Sequence, residues 1–258
     1  MGTSLSKTFT VWRAIFLREA VSRLFSTRTS WFWVLMEPVL HCSYLVLLYS
    51  YIRVRTVQNM DVIVWLIAGT LSFTFFRRAM NQIWNGVDVN RPLFLFRQIR
   101  PVDVLLTRSF LEVYFLILGG IIIFSGTHLF HPILFPDNVI LIVAGVCGLW
   151  LLSIGIGMIL SVLGSLVDDV DKVFSVIMYP LGIISGVLLP ISNFPTPYNE
   201  WLMYNPVAHG LELVRSGFSS LYHVDPGLSV IYLFQCAIGA VAAGLMLQIG
   251  FEARLRSK

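Results

Sequence analysis

The chain has 258 residues, of which 57% are hydrophobic and 12% charged, with a mean hydropathy of +0.79. Soluble domains carry about a quarter charged residues because a folded globule needs a polar skin, so this composition excludes an ordinary water-soluble fold and makes lipid the natural solvent for the surplus apolar surface. The net charge of +4 is spread between apolar runs, which points to anionic head groups and a charge bias across a bilayer rather than to nucleic acid.

Residues 7–28 open the chain as a predicted helix. Phe9, Phe16, Leu17, Ala20 and Leu24 fall on one stripe at helical spacing, and Arg18 lies opposite. Arg13 and Arg23 interrupt the stripe's edges. This pattern predicts a helix lying in the cytoplasmic interface with its arginine stems snorkelling outward.

Six apolar segments follow, at about 31–52, 62–84, 102–126, 138–163, 173–191 and 228–251. Each approaches the ~20 residues that a helix needs to cross the hydrocarbon. Backbone groups left unpaired in lipid are costly, so the spans are expected to be helical. In the first span Glu37, His41 and Tyr44 form a polar stripe at i, i+4, i+7 beside Pro38. In the second, Phe73, Arg77, Asn81 and Trp84 share a face. Ionisable groups within spans face a bundle interior or a cavity, and mixed aromatic and amide faces suit carbohydrate. These seven residues are therefore the candidate substrate path. Glu37 and Arg77 or Arg78 lie at a similar depth and are expected to pair.

Between the second and third spans, Pro92 suits a first helical turn and Pro101 a stop, so 91–100 is expected to be a short cytoplasmic helix. Val167–Lys172 is a tight acidic turn. The segment 191–227 is too apolar for a free loop. Its Asn205-Pro206 pair reads as a helix start, followed by Val207, Leu211, Val214 and Phe218 on one face. With an inside N-terminus, Arg53, Arg55 and Arg215 fall outside and the rest of the 18 Lys and Arg fall inside. Both termini are thus expected to be cytoplasmic.

Chemistry within the chain is sparse. No Gly-Lys pair exists to build a phosphate-cradling G-x-x-x-x-G-K-[ST] loop. ATP hydrolysis, if it drives this protein, must come from another subunit. Cys42, Cys147 and Cys236 sit singly in apolar runs and read as small hydrophobes. No cleavable leader is expected. His128 and His131 flank a loop without an evident third ligand. Asp168, Asp169 and Asp171 resemble acidic clusters that hold Mg²⁺ on sugar nucleotides, but no companion basic cluster accompanies them, and a solvated turn or protein contact is the expected role. No metal is expected.

The L-M-E-P at 35–38, the N-R-P-L-F-L-F-R-Q-I-R-P at 90–101 and the N-P-V-A-H-G-L-E-L-V-R at 205–215 occur in that order after the interfacial helix. Together they resemble the permease subunit of type-2 ABC exporters for surface polysaccharides, with closest likeness to the group 2 capsular polysaccharide export permeases of Gram-negative bacteria. The resemblance implies an all-α inner-membrane protein with six transmembrane helices, a multi-pass permease that dimerises. It implies a homodimer bound to two ATPase subunits, with ATP and Mg on those subunits and no cofactor in this chain. It implies a lipid-linked polysaccharide substrate, a periplasmic co-polymerase-like partner and an outer-membrane channel. The 91–100 connector becomes the coupling helix, with Arg91, Leu93, Phe94, Phe96, Arg97 and Arg100 on the ATPase and Asp168 and Asp169 as a second contact. The 194–221 segment becomes a re-entrant outer gate carrying Tyr198, Trp201, Tyr204, Glu212 and Arg215. O-antigen and teichoic-acid exporters share this layout. An ion-coupled secondary transporter would need an inverted repeat and midplane carboxylates; Glu112 is the main candidate and no repeat is visible. A membrane glycosyl- or lipid-transfer enzyme would have to use the acidic turn.

Overall fold

A computed structural model describes residues 4–52, 55–95, 99–130, 136–167 and 169–257. Helix α1 (Ser4–Phe25) is followed by α2 (Ser30–Tyr51), a minimal hairpin of β1 (Thr56–Val57) and β2 (Met60–Asp61), and α3 (Val62–Trp84). A one-turn helix α4 (Gly86–Val89) and a 3₁₀ turn Arg91–Leu95 lead to α5 (Pro101–Phe130), α6 (Val139–Leu166) and α7 (Val170–Ile184). The chain ends with α8 (Tyr198–Leu202), α9 (Pro206–Phe218), α10 (Val230–Gly250) and α11 (Glu252–Ser257).

Local chemistry sets several boundaries. The hairpin turns through Gln58 and Asn59, both at positive φ (51° and 64°), as a two-residue reversal matched to strand twist requires. Asp61 then caps α3, its Oδ1 accepting from the Ile63 and Val64 N–H groups at 2.8 and 3.4 Å. Asn138 caps α6 in the same way, accepting from Ile140 and Leu141 at 3.1 and 3.3 Å. Asn205 accepts from Val207 N–H at 3.0 Å while Pro206 occupies the first turn of α9.

Among the described residues, five helices are long and apolar enough to cross a membrane: α2, α3, α5, α6 and α10. The protein is a mostly helical, multi-pass membrane protein. The predicted span 173–191 is occupied by α7, which has 15 residues, contains Pro180 and ends at Ile184. At about 1.5 Å per residue such a helix covers roughly 22 Å, short of a hydrocarbon core of ~30 Å. Ser185 caps its own turn by donating to Leu181 O at 2.5 Å, and Gly186 reverses the chain at φ +80°. The apolar run continues beyond the helix because Val187 and Ile191 pack into the core as a turn.

The centre of the bundle is α3, which buries Trp65, Ile67, Phe76, Ala79, Met80 and Ile83 almost completely. It is surrounded by α2, α5, α6 and α9. The α6–α10 pair is held at backbone distance: Gln248 Nε2 donates to Met158 O at 3.1 Å, and a Cβ on Gly155 would collide with the Ala240–Val241 backbone. Small residues allow such close approach where lipid offers no hydrophobic gain between helices. Apolar side chains on the opposite faces, including Leu47, Ile121, Ile231, Ile238 and Met246, are more than half exposed, as lipid-facing positions should be.

Two sequence expectations change here. The 91–100 connector opens as a 3₁₀ turn, Arg91–Leu95, and not as an α-helix, and Pro101 begins α5, because the first position of a helix has no hydrogen bond for proline to lose. Helix α1 also faces differently. Phe9, Leu17, Val21 and Phe25 point away from the bundle, whereas Ile15 and Glu19 are buried against it. Arg23 does not snorkel outward but turns inward to Glu112.

Candidate functional site

Three helices, α1, α3 and α5, converge on a buried ionic cluster at the α1 end of the bundle. Glu19 of α1 meets Arg23 Nε at 2.9 Å and Arg108 Nε at 2.8 Å. Glu112 of α5 takes Arg23 Nη1 on Oε1 at 2.5 Å and lies 3.3 Å from Arg78 Nε through Oε2. Arg108 Nη2 also donates to Gln82 Oε1 at 3.0 Å. The two carboxylates are nearly inaccessible, and the three guanidinium groups are at most 17% exposed. Buried charges are tolerated only when paired and hydrogen-bonded, so this cluster fixes α1 against α3 and α5.

Helix α1 also reaches the connector. Arg18 donates to Asn90, whose own Nδ2 donates to Gly86 O at 3.0 Å. Trp12 Nε1 donates to Asp103 Oδ1 at 2.9 Å, and Oδ2 of that carboxylate accepts from Arg100 N–H at 3.1 Å. Helix α1 is thus bonded to the end of α4 and to the start of α5 and, through Asp103, to the segment before α5.

The candidate path residues separate into three groups. Glu37, His41 and Tyr44 are exposed along α2. Phe73 and Trp84 are instead buried under α7: a Cβ on Gly182 would touch the Phe73 ring, and Trp84 meets Phe174 edge-on at 5.0 Å. The central position of α3 removes these two rings from any surface stripe. Arg77 and Asn81 are half-buried. Glu37 Oε2 lies 3.8 Å from Arg78 Nη1, but its side chain is 59% exposed. Exposed pairs contribute ~0–1 kcal/mol, and Glu112 is the stronger partner of Arg78. A Glu37→Gln/Arg78→Gln double-mutant cycle on unfolding in detergent is therefore expected to give a coupling below about 1 kcal/mol; a coupling of several kcal/mol would make the pair structural.

In the connector, Arg91 is exposed and pairs with Asp88 at 2.7 Å. Leu93 is half-buried, Phe94 is buried in the core and Arg100 is exposed. Phe94 is thus committed to packing within this chain. Asp169 is exposed and pairs with Lys172 at 2.8 Å. Phe96, Arg97 and Asp168 lie outside the described residues.

At the other end of the bundle, Tyr198, Trp201 and Tyr204 are exposed on and beside α8. Glu212 and Arg215 are not. Arg215 is fully buried, donating from Nη1 to Glu212 Oε1 at 3.0 Å, from Nη2 to Val187 O at 3.2 Å and from Nε to Trp65 O at 3.4 Å. Its guanidinium carbon sits 3.8 Å above the Trp65 ring, a cation–π contact. Glu212 Oε2 accepts from Tyr222 O–H at 2.8 Å, and Tyr222 in turn accepts from Trp65 Nε1 at 3.3 Å. Burial, reinforced by Glu212, pushes the Tyr222 phenol above its ordinary value, so it remains a donor. Glu212 and Arg215, which the resemblance places in the outer gate, are buried here and fasten α9 to α3.

Sequence reasoning missed the Glu19–Arg108–Arg23–Glu112 cluster. Its one local signal is the Glu19/Arg23 spacing of four residues on a helix. It also missed a cavity of about 680 Å³ beside α8 and the start of α9, bounded by Asn199, Glu200, Tyr204, His209, Asp225 and Tyr232 among others.

The profile of the ABC-2 type transporter family matches residues 10–219. The chain is 29% identical to the polysialic acid transport protein KpsM of Escherichia coli, over 91% of this chain and 90% of that protein. It is 24% identical to the capsule polysaccharide export inner-membrane protein BexB of Haemophilus influenzae. To the corresponding protein CtrC of Neisseria meningitidis it is 22% identical. Both of these matches cover 80% of this chain and 77% of the relative.

Proposed function

The chain belongs to the ABC-2 type transporter family, and we propose that it is the membrane permease of an ATP-driven exporter that moves lipid-linked capsular polysaccharide out of the bacterial cytoplasm. The observation that carries this reading is the near end-to-end similarity to a polysialic acid transport protein, with capsule export proteins of two further genera alongside it. The sequence has no Gly-Lys pair for a phosphate loop, so ATP and Mg²⁺ belong to two separate ATPase subunits.

In this proposal the membrane portion has six segments, with α7 and the following apolar turn forming the fifth. The termini, α1 and the 86–100 connector face the cytoplasm, where most Lys and Arg lie. The segment holding α8 and α9 re-enters from the outer side. Two copies assemble around the path. Support for that comes from α2, whose Glu37, His41 and Tyr44 are exposed on an otherwise apolar helix. Ionisable groups at membrane depth require a partner other than lipid, and a second copy enclosing a hydrated polymer supplies one. Arg91, Arg100 and Asp169 are exposed on the cytoplasmic side of this arrangement and form the ATPase contact. Movement there passes to the bundle through Asn90–Arg18 and Asp103–Trp12. A periplasmic co-polymerase-like protein and an outer-membrane channel carry the polymer onward.

The test is reconstitution of this chain with the ATPase encoded beside it. Expected results are a stable two-plus-two complex and ATP-dependent appearance of capsular polymer in the vesicle lumen of inverted vesicles. Polymer movement driven by a proton gradient without the ATPase would overturn the reading. Charge reversal at Arg100 is expected to lower polymer-coupled ATP hydrolysis at least several-fold while membrane insertion stays normal. Wild-type coupling in Arg100→Glu would remove this residue from the ATPase contact.

A further inference from the structure

The cavity beside α8 is lined by carboxylates that no cation in its wall offsets. Asp225 is 9% exposed and lines the cavity wall. Its Oδ1 accepts from Gly227 N–H at 2.9 Å, which shapes the loop before α10. Among the described residues, Oδ2 has no donor and the carboxylate has no Lys or Arg partner. Glu200 adds a second carboxylate to the same wall, and no lining residue is cationic.

Among the described lining residues His209 is the one able to carry positive charge, and its hydrogen bonds forbid it. Nε2 is 2.7 Å from Met203 O, which can only accept, and Nδ1 is 3.1 Å from Ser229 N–H, which can only donate. The ring is therefore held as the neutral Nε2–H tautomer. A buried carboxylate without a counter-charge is costly, so the cavity is complementary to a positive ligand.

Shape narrows the ligand. The volume of about 680 Å³ is that of an organic-ligand pocket. Among the described residues no group of three metal-type ligands exists. Tyr204 and Tyr232 contribute aromatic walls, locked to each other through a 2.7 Å bond from Tyr232 O–H to Tyr204 O, and aromatic faces attract organic cations. An anionic glycan would be repelled by the two carboxylates.

We propose that this cavity is a receptor for an alkylammonium or guanidinium group on the outer side of the membrane, presented either by a free polyamine or by a lysine or arginine side chain of a second protein. The placement on the outer side rests on the topology proposed above; the cation site itself does not.

The test uses the full permease with its ATPase in lipid nanodiscs. Radiolabelled spermidine and a labelled lysine- and arginine-bearing peptide are titrated by scintillation proximity, with an uncharged amide analogue as competitor. Saturable binding of at least one cationic probe is expected, weakened at least tenfold in Asp225→Asn and several-fold in Glu200→Gln. Asn can still accept from Gly227 N–H, and Glu200 is exposed, so neither change threatens the fold. Spermidine binding as tightly as the peptide identifies a free amine as the source; peptide binding at least tenfold tighter identifies a protein side chain. No saturable binding, equal binding in both variants, equal competition by the uncharged analogue, or displacement by Mg²⁺ at equal concentration would each overturn the site. Labelling of Leu221→Cys by an impermeant maleimide reports sidedness separately. Access from the cytoplasmic side alone overturns the outer placement and leaves the cation site to the titration.

Discussion

Replacing Arg215 by Met is expected to destabilise the protein by about 3–5 kcal/mol, the scale for removing one partner of a buried ion pair. The guanidinium is completely buried and satisfies Glu212, Val187 O and Trp65 O together. Its loss leaves the Glu212 carboxylate with the Tyr222 hydroxyl as its remaining partner. The cost is therefore mainly that of a stranded charge. It follows that Arg215→Met/Glu212→Leu should lose less than Arg215→Met alone, because exchanging both partners for apolar groups is often close to neutral. Tyr222 would then lack an acceptor, so the recovery should fall short by about 1 kcal/mol. Unfolding midpoints of the purified permease in detergent measure both effects. A single variant with an unchanged midpoint and impaired export would restore Arg215 to the outer gate. Gly69 gives an independent check: a Cβ there would collide with the Arg215 guanidinium, so Gly69→Ala should weaken the same junction.

The contrast between α3 and Arg215 shows what can be read along the chain. The span 62–84 was legible because its apolar run from Val62 to Phe76, broken only by small residues, is a local signal. Asn205-Pro206 marked the start of α9 for the same reason. The fifth apolar segment was harder. Val187, Leu188 and Leu189 are as apolar as a helix, and only the backbone reversal at Gly186 shows that they form a turn. Hydropathy reports burial or lipid contact but not backbone path. Site residues diverge further. Glu212 and Arg215 were placed in the outer gate by the resemblance, although opposite charges three apart on one helix can satisfy each other. Arg23 and Glu112 are 89 positions apart, and no periodicity connects them. Asp225 lies in a short loop whose sequence reads as an ordinary turn; its isolation from cations is visible only in three dimensions.

Glu112→Gln is the second change expected to have a large effect, and it tests whether α1 is a passive anchor. Glu112 is almost inaccessible and lies between Arg23 of α1 and Arg78 of α3. Neutralising it leaves two poorly hydrated guanidinium groups facing one amide, at an expected cost of about 3–5 kcal/mol. Glu19 still holds Arg23 and Arg108, so the bundle should survive while α1 loosens. Hydrogen exchange of residues 4–25 should then rise more than that of α3 or α6. Because α1 also bonds the connector through Arg18–Asn90 and Trp12–Asp103, its release should separate ATP hydrolysis from polymer movement: ATPase turnover persists while export falls at least tenfold. Arg23→Gln should reproduce both effects, since it cuts the same link from the other side. If exchange in α1 rises and export does not fall, the helix anchors the bundle without transmitting motion. If neither moves, the ionic cluster does not hold α1. Only the joint result assigns Glu112, the carboxylate that first drew notice as a possible ion-coupling group, to mechanical linkage between the membrane bundle and the connector.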